Sequence, residues 1–393
     1  MTSSSLHPKI PASIWALGFV SMFMDVSSEL IHSLLPVFMV SVLGASMASV
    51  GVIEGIAEAT AMIVKVFSGT LSDYIGKRKF LALIGYGMAA LTKPLFPLAS
   101  TMSMVLAARF LDRIGKGVRG APRDALVGDI APPELRGACF GLRQSLDTVG
   151  AFVGPLLAIV GMLLLSNNIR LVFWLAVIPA MLAVLILAFG VNEPETHRVA
   201  TGKPPLRTRD IRHVGSAYWY LVGVAGVLTL ARFSEAFLVL KAQATGLPMA
   251  YVPLVLVVMN IVYALAAYPA GIMSDKMDRK NVLLIGVAFL SIADIVLGFS
   301  TNLWMLGLGV SLWGLHMAFT QGLMAAMVTD TSPPELRGTA YGVFNLVSGV
   351  AMLAASVIAG LLWDSYGSAT MFFVGAGFTT VALIGLTRLF QRQ

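Results

Sequence analysis

Long apolar runs separated by short polar breaks recur along the whole chain. A run of about 20 apolar residues is enough to cross a bilayer as a helix. Such runs fall near residues 12–42, 48–71, 80–99, 103–128, 138–165, 169–191, 214–243, 249–272, 281–299, 302–328, 338–363 and 367–388. The pattern predicts an all-α membrane protein with twelve transmembrane helices. One run departs from it. Ala107 to Asp129, AARFLDRIGKGVRGAPRDALVGD, carries Arg109, Asp112, Arg113, Lys116, Arg119, Arg123 and Asp124. On a helix these side chains share one arc of about 140°. Lipid does not tolerate such a stripe, which must face protein or water. Two readings follow: an amphipathic helix on the membrane surface, or a spanning helix that lines a polar pathway.

The breaks alternate in charge. One set holds Lys77, Arg78 and Lys79, then Arg136, the basic segment His197 to His213, Arg279 with Lys280, Arg337, and Arg388 with Arg392. The other set, at 44–47, 97–102, 166–170, 244–249 and 300–302, holds almost none. Basic loops stay on the cytoplasmic side, so both termini are expected in the cytoplasm. Pro194, Pro204 and Pro205 mark 192–213 as a cytoplasmic linker between two six-helix bundles, 1–191 and 214–393. The halves repeat: Asp129-Ile-Ala-Pro-Pro-Glu-Leu-Arg-Gly137 returns as Asp330-Thr-Ser-Pro-Pro-Glu-Leu-Arg-Gly338, and Gly141 as Gly342. Gly69-x-x-Ser72-Asp73 with Lys77 and Arg78 returns as Gly271-x-x-Ser274-Asp275 with Arg279 and Lys280. Repeated halves are an architecture of secondary transporters, whose substrate site lies near the midplane between them.

Composition agrees. The 393 residues are 57% hydrophobic and 12% charged, with a mean hydropathy of +0.84, whereas soluble domains are about 25% charged. The net charge of +7 reflects basic loops rather than nucleic-acid binding. The single cysteine, Cys139, excludes an internal disulfide and any cysteine metal cluster. The first span lacks a small-residue cleavage site and is expected to be retained. The scattered methionines read as core filling.

Gly69-Thr-Leu-Ser-Asp73-Tyr-Ile-Gly76-Lys77-Arg78-Lys79 resembles, nearly residue for residue, the loop between helices 2 and 3 of the major facilitator superfamily. Arg113-Ile-Gly-Lys-Gly117-Val-Arg-Gly-Ala121 resembles the helix 4 motif in part, with Arg119 where the family usually has glycine. Gly141, Gly150 and Gly154-Pro155 resemble the helix 5 motif of proton antiporters that export drugs, although Ala158-Ile159 replaces its closing glycine pair. The resemblance covers essentially the whole chain. It implies two pseudo-symmetric bundles, alternating access, no cofactor, and a monomer integral to the cytoplasmic (inner) membrane of a bacterium, in contact with lipid. It also implies a cytoplasmic gate built on Gly69, Asp73, Arg78 and Asp129, with Asp275 and Asp330 as looser copies. The runs MDVSSELIHSLLP, IEGIAEAT, DRIGKGVRGAPRDAL and GLRQSLDTVGAF resemble more weakly a bacterial subgroup with nickel-resistance and magnetosome permeases.

Charges inside the spans suggest two layers. A charge at the bilayer centre costs about 2.5–3.5 kcal/mol on the insertion scale. So many of them require a hydrated cavity or a paired network. The central layer, Asp25, Glu29, His32, Glu54, Glu58 and Arg113, joined by Arg119, is expected to bind substrate and protons. Nearer the cytoplasm, Arg119, Arg123, Asp124, Arg143 and Asp147 are expected to form ion pairs that break and remake as the halves rock. The plainer alternative is that these charges only lock helices together. Asp25, Glu29 and His32 are also suitable donors for a borderline divalent metal. Charge balance leaves the substrate open: helices 1 and 2 are net acidic and helix 4 net basic. Trp313, Tyr263 and Asn260 are candidate wall residues.

The chain therefore reads as a secondary transporter for a small molecule or ion, and as proton-coupled efflux of a cation, either a divalent metal or an organic cation. The alternative is uptake or exchange of an anion such as a siderophore or organic acid. No Ser–His–Asp spacing, phosphate loop or HExxH motif points to an enzyme.

Overall fold

Within a bilayer the backbone satisfies its N–H and C=O groups only in helices or closed barrels. The computed structural model describes residues 9–193, 215–320, 323–332 and 336–391, without the side chains of Thr70, Asp73, Asp275, Ala325, Ala326, 337–339 and 389–391. No strand occurs among the described residues. The principal helices are α1 (Ala12–His32), α2 (Met47–Ile75), α3 (Arg78–Thr92), α4 (Met102–Ile130), α5 (Arg136–Leu164), α6 (Val177–Gly190), α7 (Ser216–Ala231), α8 (Leu254–Lys276), α9 (Arg279–Phe299), α10 (Leu303–Thr320), α11 (Arg337–Tyr366) and α12 (Ser368–Gln391). Among the described residues, ten helical stretches are long and apolar enough to cross a membrane. α2 and α4 have 29 residues each and are long enough to span, and α4 carries Arg109, Asp112, Arg113, Lys116 and Arg119. Together the two sets are consistent with twelve spans. The expected linker falls outside the described residues from Pro194 onward.

Local chemistry sets the helix ends. Ser46 Oγ accepts from the Ser49 amide at 3.2 Å and Thr101 Oγ1 from Met104 at 3.4 Å, so side chains meet the otherwise unpaired first-turn donors of α2 and α4. Gly76, at φ +69°, closes α2 in the left-handed conformation that favours glycine.

Packing repeats between the halves. α1 lies on α5 and α6, α2 on α4, and α3 on α4 and α6. α7 lies on α11 and α12, α8 on α10, and α9 on α10 and α12. Adding six to each helix number converts the first set into the second, as a two-fold axis along the membrane normal requires. The seams between the sets, α2 on α11 and α5 on α8, exchange under the same operation.

The α2–α11 seam is close because of small residues. Gly51 abuts the Ser356 carbonyl, Gly55 the Leu353 backbone and Gly360 the Met47 carbonyl, so any side chain there would force the backbones apart. Asp364 on α11 accepts hydrogen bonds from the Met47 and Ala48 amides at 3.0 and 2.9 Å, capping α2 across the seam. Gln243 donates to Ser41 at 2.8 Å close by. These contacts lie at the end remote from the basic loops. Toward the basic end Leu71 and Tyr74 on α2 are exposed.

Two helices are interrupted at matching positions. α1 stops at His32 and resumes as Leu35–Val37 and a π-helical turn, Phe38–Val42. α7 stops at Ala231, residues 232–235 are non-helical, and a helix resumes at Ala236–Ala244. The two resumed pieces touch each other.

Candidate functional site

Both interruptions face a cavity of about 380 Å³ between the two sets of helices. Glu29, His32, Glu58, Arg113, Lys116 and Asp147 line it from the first half. Arg232, Phe233, Ser234, Glu235, Asn260 and Trp313 line it from the second. Discontinuous helices at corresponding positions of two repeats expose backbone groups and polar side chains at membrane depth, as at transporter binding sites.

Behind the first wall runs a continuous charge network. Glu54, fully buried, accepts from Arg109 Nε at 3.2 Å and Nη2 at 2.7 Å, a two-pronged pair between α2 and α4. His32 bridges two acids, with Nδ1 3.4 Å from Glu29 and Nε2 3.7 Å from Glu54. Arg113 reaches Glu58 at 3.1 Å. Ser234, in the α7 break, donates to Glu54 at 3.4 Å and so ties the second half to this network. Asp25 stands beside Asp147. The α5 glycines make this approach possible: Gly150 lies against the Met22 carbonyl and Asp25 Cβ, and Gly154 against the Val26 carbonyl and Glu29 Cβ.

The second wall differs. Phe233 packs on Trp313 at 5.3 Å and on Phe372 at 5.5 Å between ring centroids, an apolar surface inside a charged cavity. Arg232 and Glu235 flank it and influence each other without a direct ion pair. Lys116 likewise forms no direct ion pair among the described residues.

Sequence comparison agrees with this geometry. The model of the Major Facilitator Superfamily matches residues 16–240 and 224–393. The chain belongs to the Major Facilitator Superfamily. An uncharacterized MFS-type transporter of Methanocaldococcus jannaschii is 32% identical over 388 residues, covering 97% of this chain and 95% of that one. The class C tetracycline resistance protein of Escherichia coli is 26% identical, covering 81% and 82%. Among solved structures, a nucleoside transporter superposes with a TM-score of 0.82 at 14% identity, covering 96% of this chain and 99% of that one. These relatives are transporters, and this facilitator is an integral membrane transporter rather than an enzyme. They lend no support to the narrower nickel and magnetosome subgroup.

Of the central residues expected in the facilitator, Glu29, His32, Glu58 and Arg113 line the cavity, and Glu54 anchors them from behind. Arg119 is not among the lining residues; its guanidinium lies 4.9 Å over the Tyr86 ring of α3. The metal expectation gains no support. Among the described residues no three His, Cys, Asp or Glu side chains are grouped to hold an ion. Glu29 and His32 pair with each other, while Asp25 turns to Asp147. The α4 stripe is likewise divided among its neighbours: Arg109 and Arg113 face α2, Asp112 pairs with Lys93 of the α3 end at 2.8 Å, and Arg123 reaches Asp147 of α5 and donates to Ser21 of α1.

The layer nearer the basic end joins helices of one half. Arg123 reaches Asp124 at 3.0 Å and Asp147 at 3.7 Å, and Arg143 reaches the same two acids at 3.8 and 3.6 Å. These contacts tie α4 to α5; among the described residues none crosses to the second half. At the loops Arg78 holds Asp129 at 2.7 Å, and the repeat holds Arg279 to Asp330 more loosely at 3.7 Å. The Asp73 and Asp275 side chains lie outside the described residues. Gly69 permits α2 to approach Ala121 of α4, Gly141 has open space around it, and Pro155 is buried within α5. Trp313 and Asn260 line the cavity as expected; Tyr263 is not among its lining residues. Lys116, Arg232, Glu235 and Phe233 complete the site. Their signal in the sequence was two opposite charges astride Phe233-Ser234 in an otherwise apolar span.

Proposed function

We propose that this facilitator exports an organic solute bearing a cationic group, in exchange for protons, by alternating access between its halves. The observation that carries the reading is the cavity itself. It combines four acids, Glu29, Glu58, Asp147 and Glu235, with the Phe233–Trp313 surface. An aromatic wall beside carboxylates suits an organic cation, whose charge is attracted by both. Asp147 faces the cavity and adjoins Asp25, so a proton and a cation would compete for the same carboxyl groups. With the basic loops in the cytoplasm, the seam at Met47 and Asp364 closes the outer end, which corresponds to a state loaded from inside. A relative named as a tetracycline resistance protein fits export of an organic solute.

A second reading has its own observation. Lys116 and Arg232 face the same cavity from opposite halves without direct ion pairs, and an anion would fit between them. Liposomes containing the protein and a trapped pH dye separate the two. Ethidium is expected to drive proton flux that Asp147→Asn and Glu235→Gln abolish. Flux driven by a dicarboxylate and not by ethidium, and lost in Lys116→Ala and Arg232→Ala, would establish the anion reading instead.

A further inference from the structure

Asp294 on α9 is fully buried, and among the described residues neither of its carboxyl oxygens has a hydrogen-bond partner. It belongs to none of the networks described above. The contrast with Asp112 is instructive, because that buried acid is held by Lys93 at 2.8 Å. An acid that locks helices together is bonded across them; among the described residues Asp294 has no such bond. It lies about 7.5 Å along α9 from Phe299, at 1.5 Å per residue, and so in the half remote from the basic loops.

Its surroundings connect it to the cavity. A Cβ placed on Gly375 of α12 would stand 2.8 Å from Asp294 Oδ2 and 3.2 Å from Phe233 Cε1, so the carboxyl and the Phe233 ring share one small space. Phe233 lines the cavity and also adjoins the space that holds the Asp294 carboxyl, and Asp294 is not among the lining residues. Phe233 sits in the non-helical segment 232–235, whose backbone is held by separate bonds, Arg232 N–H to the Thr229 carbonyl at 3.0 Å and Ser234 N–H to Ser356 Oγ at 3.3 Å, in place of a continuous helical ladder. The facing elements bring no compensating charge. α7 contributes Arg232 and Glu235, turned to the cavity. α10 contributes His316, whose Nδ1 is 2.8 Å from the Gly286 carbonyl, about 12 Å along α9 from Asp294. On α12 Thr379 donates to the Gly375 carbonyl. As an ion Asp294 would be an unpaired buried charge, which burial strongly disfavours; a carboxyl in such a place within a membrane protein is functional by default.

We infer that Asp294 is a proton-binding site of the second half, separated from the solute cavity by Phe233 in this conformation and joined to it when the 232–235 segment moves. The site rests on the proton-exchange reading for its use and on the geometry alone for its existence. The tests separate the two. A hydrophobic carbodiimide reacts with protonated carboxyl groups, and peptide mass spectrometry locates the adduct. In the intact wild-type protein at neutral pH, Asp294 is expected to be modified and Glu54, ion-paired to Arg109, to be spared. Labelling is expected to fall as pH rises and to be faster in Phe233→Ala. An unmodified Asp294, or labelling indifferent to pH, overturns the site. An unchanged rate in Phe233→Ala overturns the seal.

In liposomes, Asp294→Asn is expected to lower the protons moved per ethidium while ethidium counterflow, which needs no net proton movement, persists. An unchanged ratio refutes the coupling role. If wild-type protein moves no protons with ethidium, the proton-exchange reading fails, and the labelling result still decides the site.

Discussion

Asp364 is the side chain whose removal should most directly shift the balance between conformations. It accepts two backbone hydrogen bonds from the first turn of α2, at 3.0 and 2.9 Å, and it belongs to the opposite half. Its charge also faces a helix N-terminus, a favourable interaction of about 0.3–1 kcal/mol. Buried hydrogen bonds to a charged acceptor contribute about 1.5–3 kcal/mol each, but Asp364 is exposed, and water competes for both. A net of about 1–2 kcal/mol is the reasonable expectation, corresponding to a factor of about 5–30 in a two-state ratio. Asp364→Ala should therefore raise the population open at this end by about that factor, with Asp364→Asn intermediate because it keeps one acceptor. Spin labels at Ser100→Cys and Thr301→Cys, in a Cys139→Ser background, report the separation of the halves at that end. The reasoning is refuted if the distance distribution in Asp364→Ala matches that of the parent.

Two further outcomes follow from the charge network. Arg109→Ala leaves Glu54 as a buried, half-abandoned charge and should destabilise the protein by about 3–5 kcal/mol. Thermal unfolding in detergent checks this, and a loss no larger than that of an exposed arginine such as Arg279→Ala would contradict it. Arg119→Ala removes a cation from the Tyr86 ring, worth about 0.5–2 kcal/mol. It should lower stability modestly with the ethidium concentration dependence unchanged, whereas Arg113→Ala should shift that dependence; equal shifts in both would place Arg119 in the site after all.

The fold was largely readable because its causes are local and repeated. Apolar runs gave the spans, and the duplicated Asp129 and Asp330 segments gave the symmetry that the packing of α1–α6 and α7–α12 displays. The site was partly readable. Glu29, His32, Glu58 and Arg113 could be placed because a charge in an apolar run must find a polar neighbour. Which neighbour it finds depends on tertiary packing. An arc of about 140° on α4 is wide enough to touch several helices, so helical periodicity could not tell that Arg113 turns to α2 while Arg119 turns to α3. Lys93 gave no hint of its role, since its partner Asp112 already seemed committed to the stripe. Asp294 is a lone acid in an apolar run, but only the packing around it shows that its carboxyl has no partner among the described residues.

The division of charge between α2 and α4 also bears on how the chain enters the membrane. α4 is the more heavily charged of the two. At about 2.5–3.5 kcal/mol for each charged residue near a helix centre, Arg109, Asp112, Arg113, Lys116 and Arg119 together make solitary partitioning of α4 unfavourable by more than 10 kcal/mol. Glu54 and Glu58 on α2 and Lys93 at the end of α3 offset that only when they are already alongside. The first half must therefore leave the insertion machinery as a group of helices assembled in a protected space. Most spans of the second half, with few charges to match, can be released to lipid one at a time.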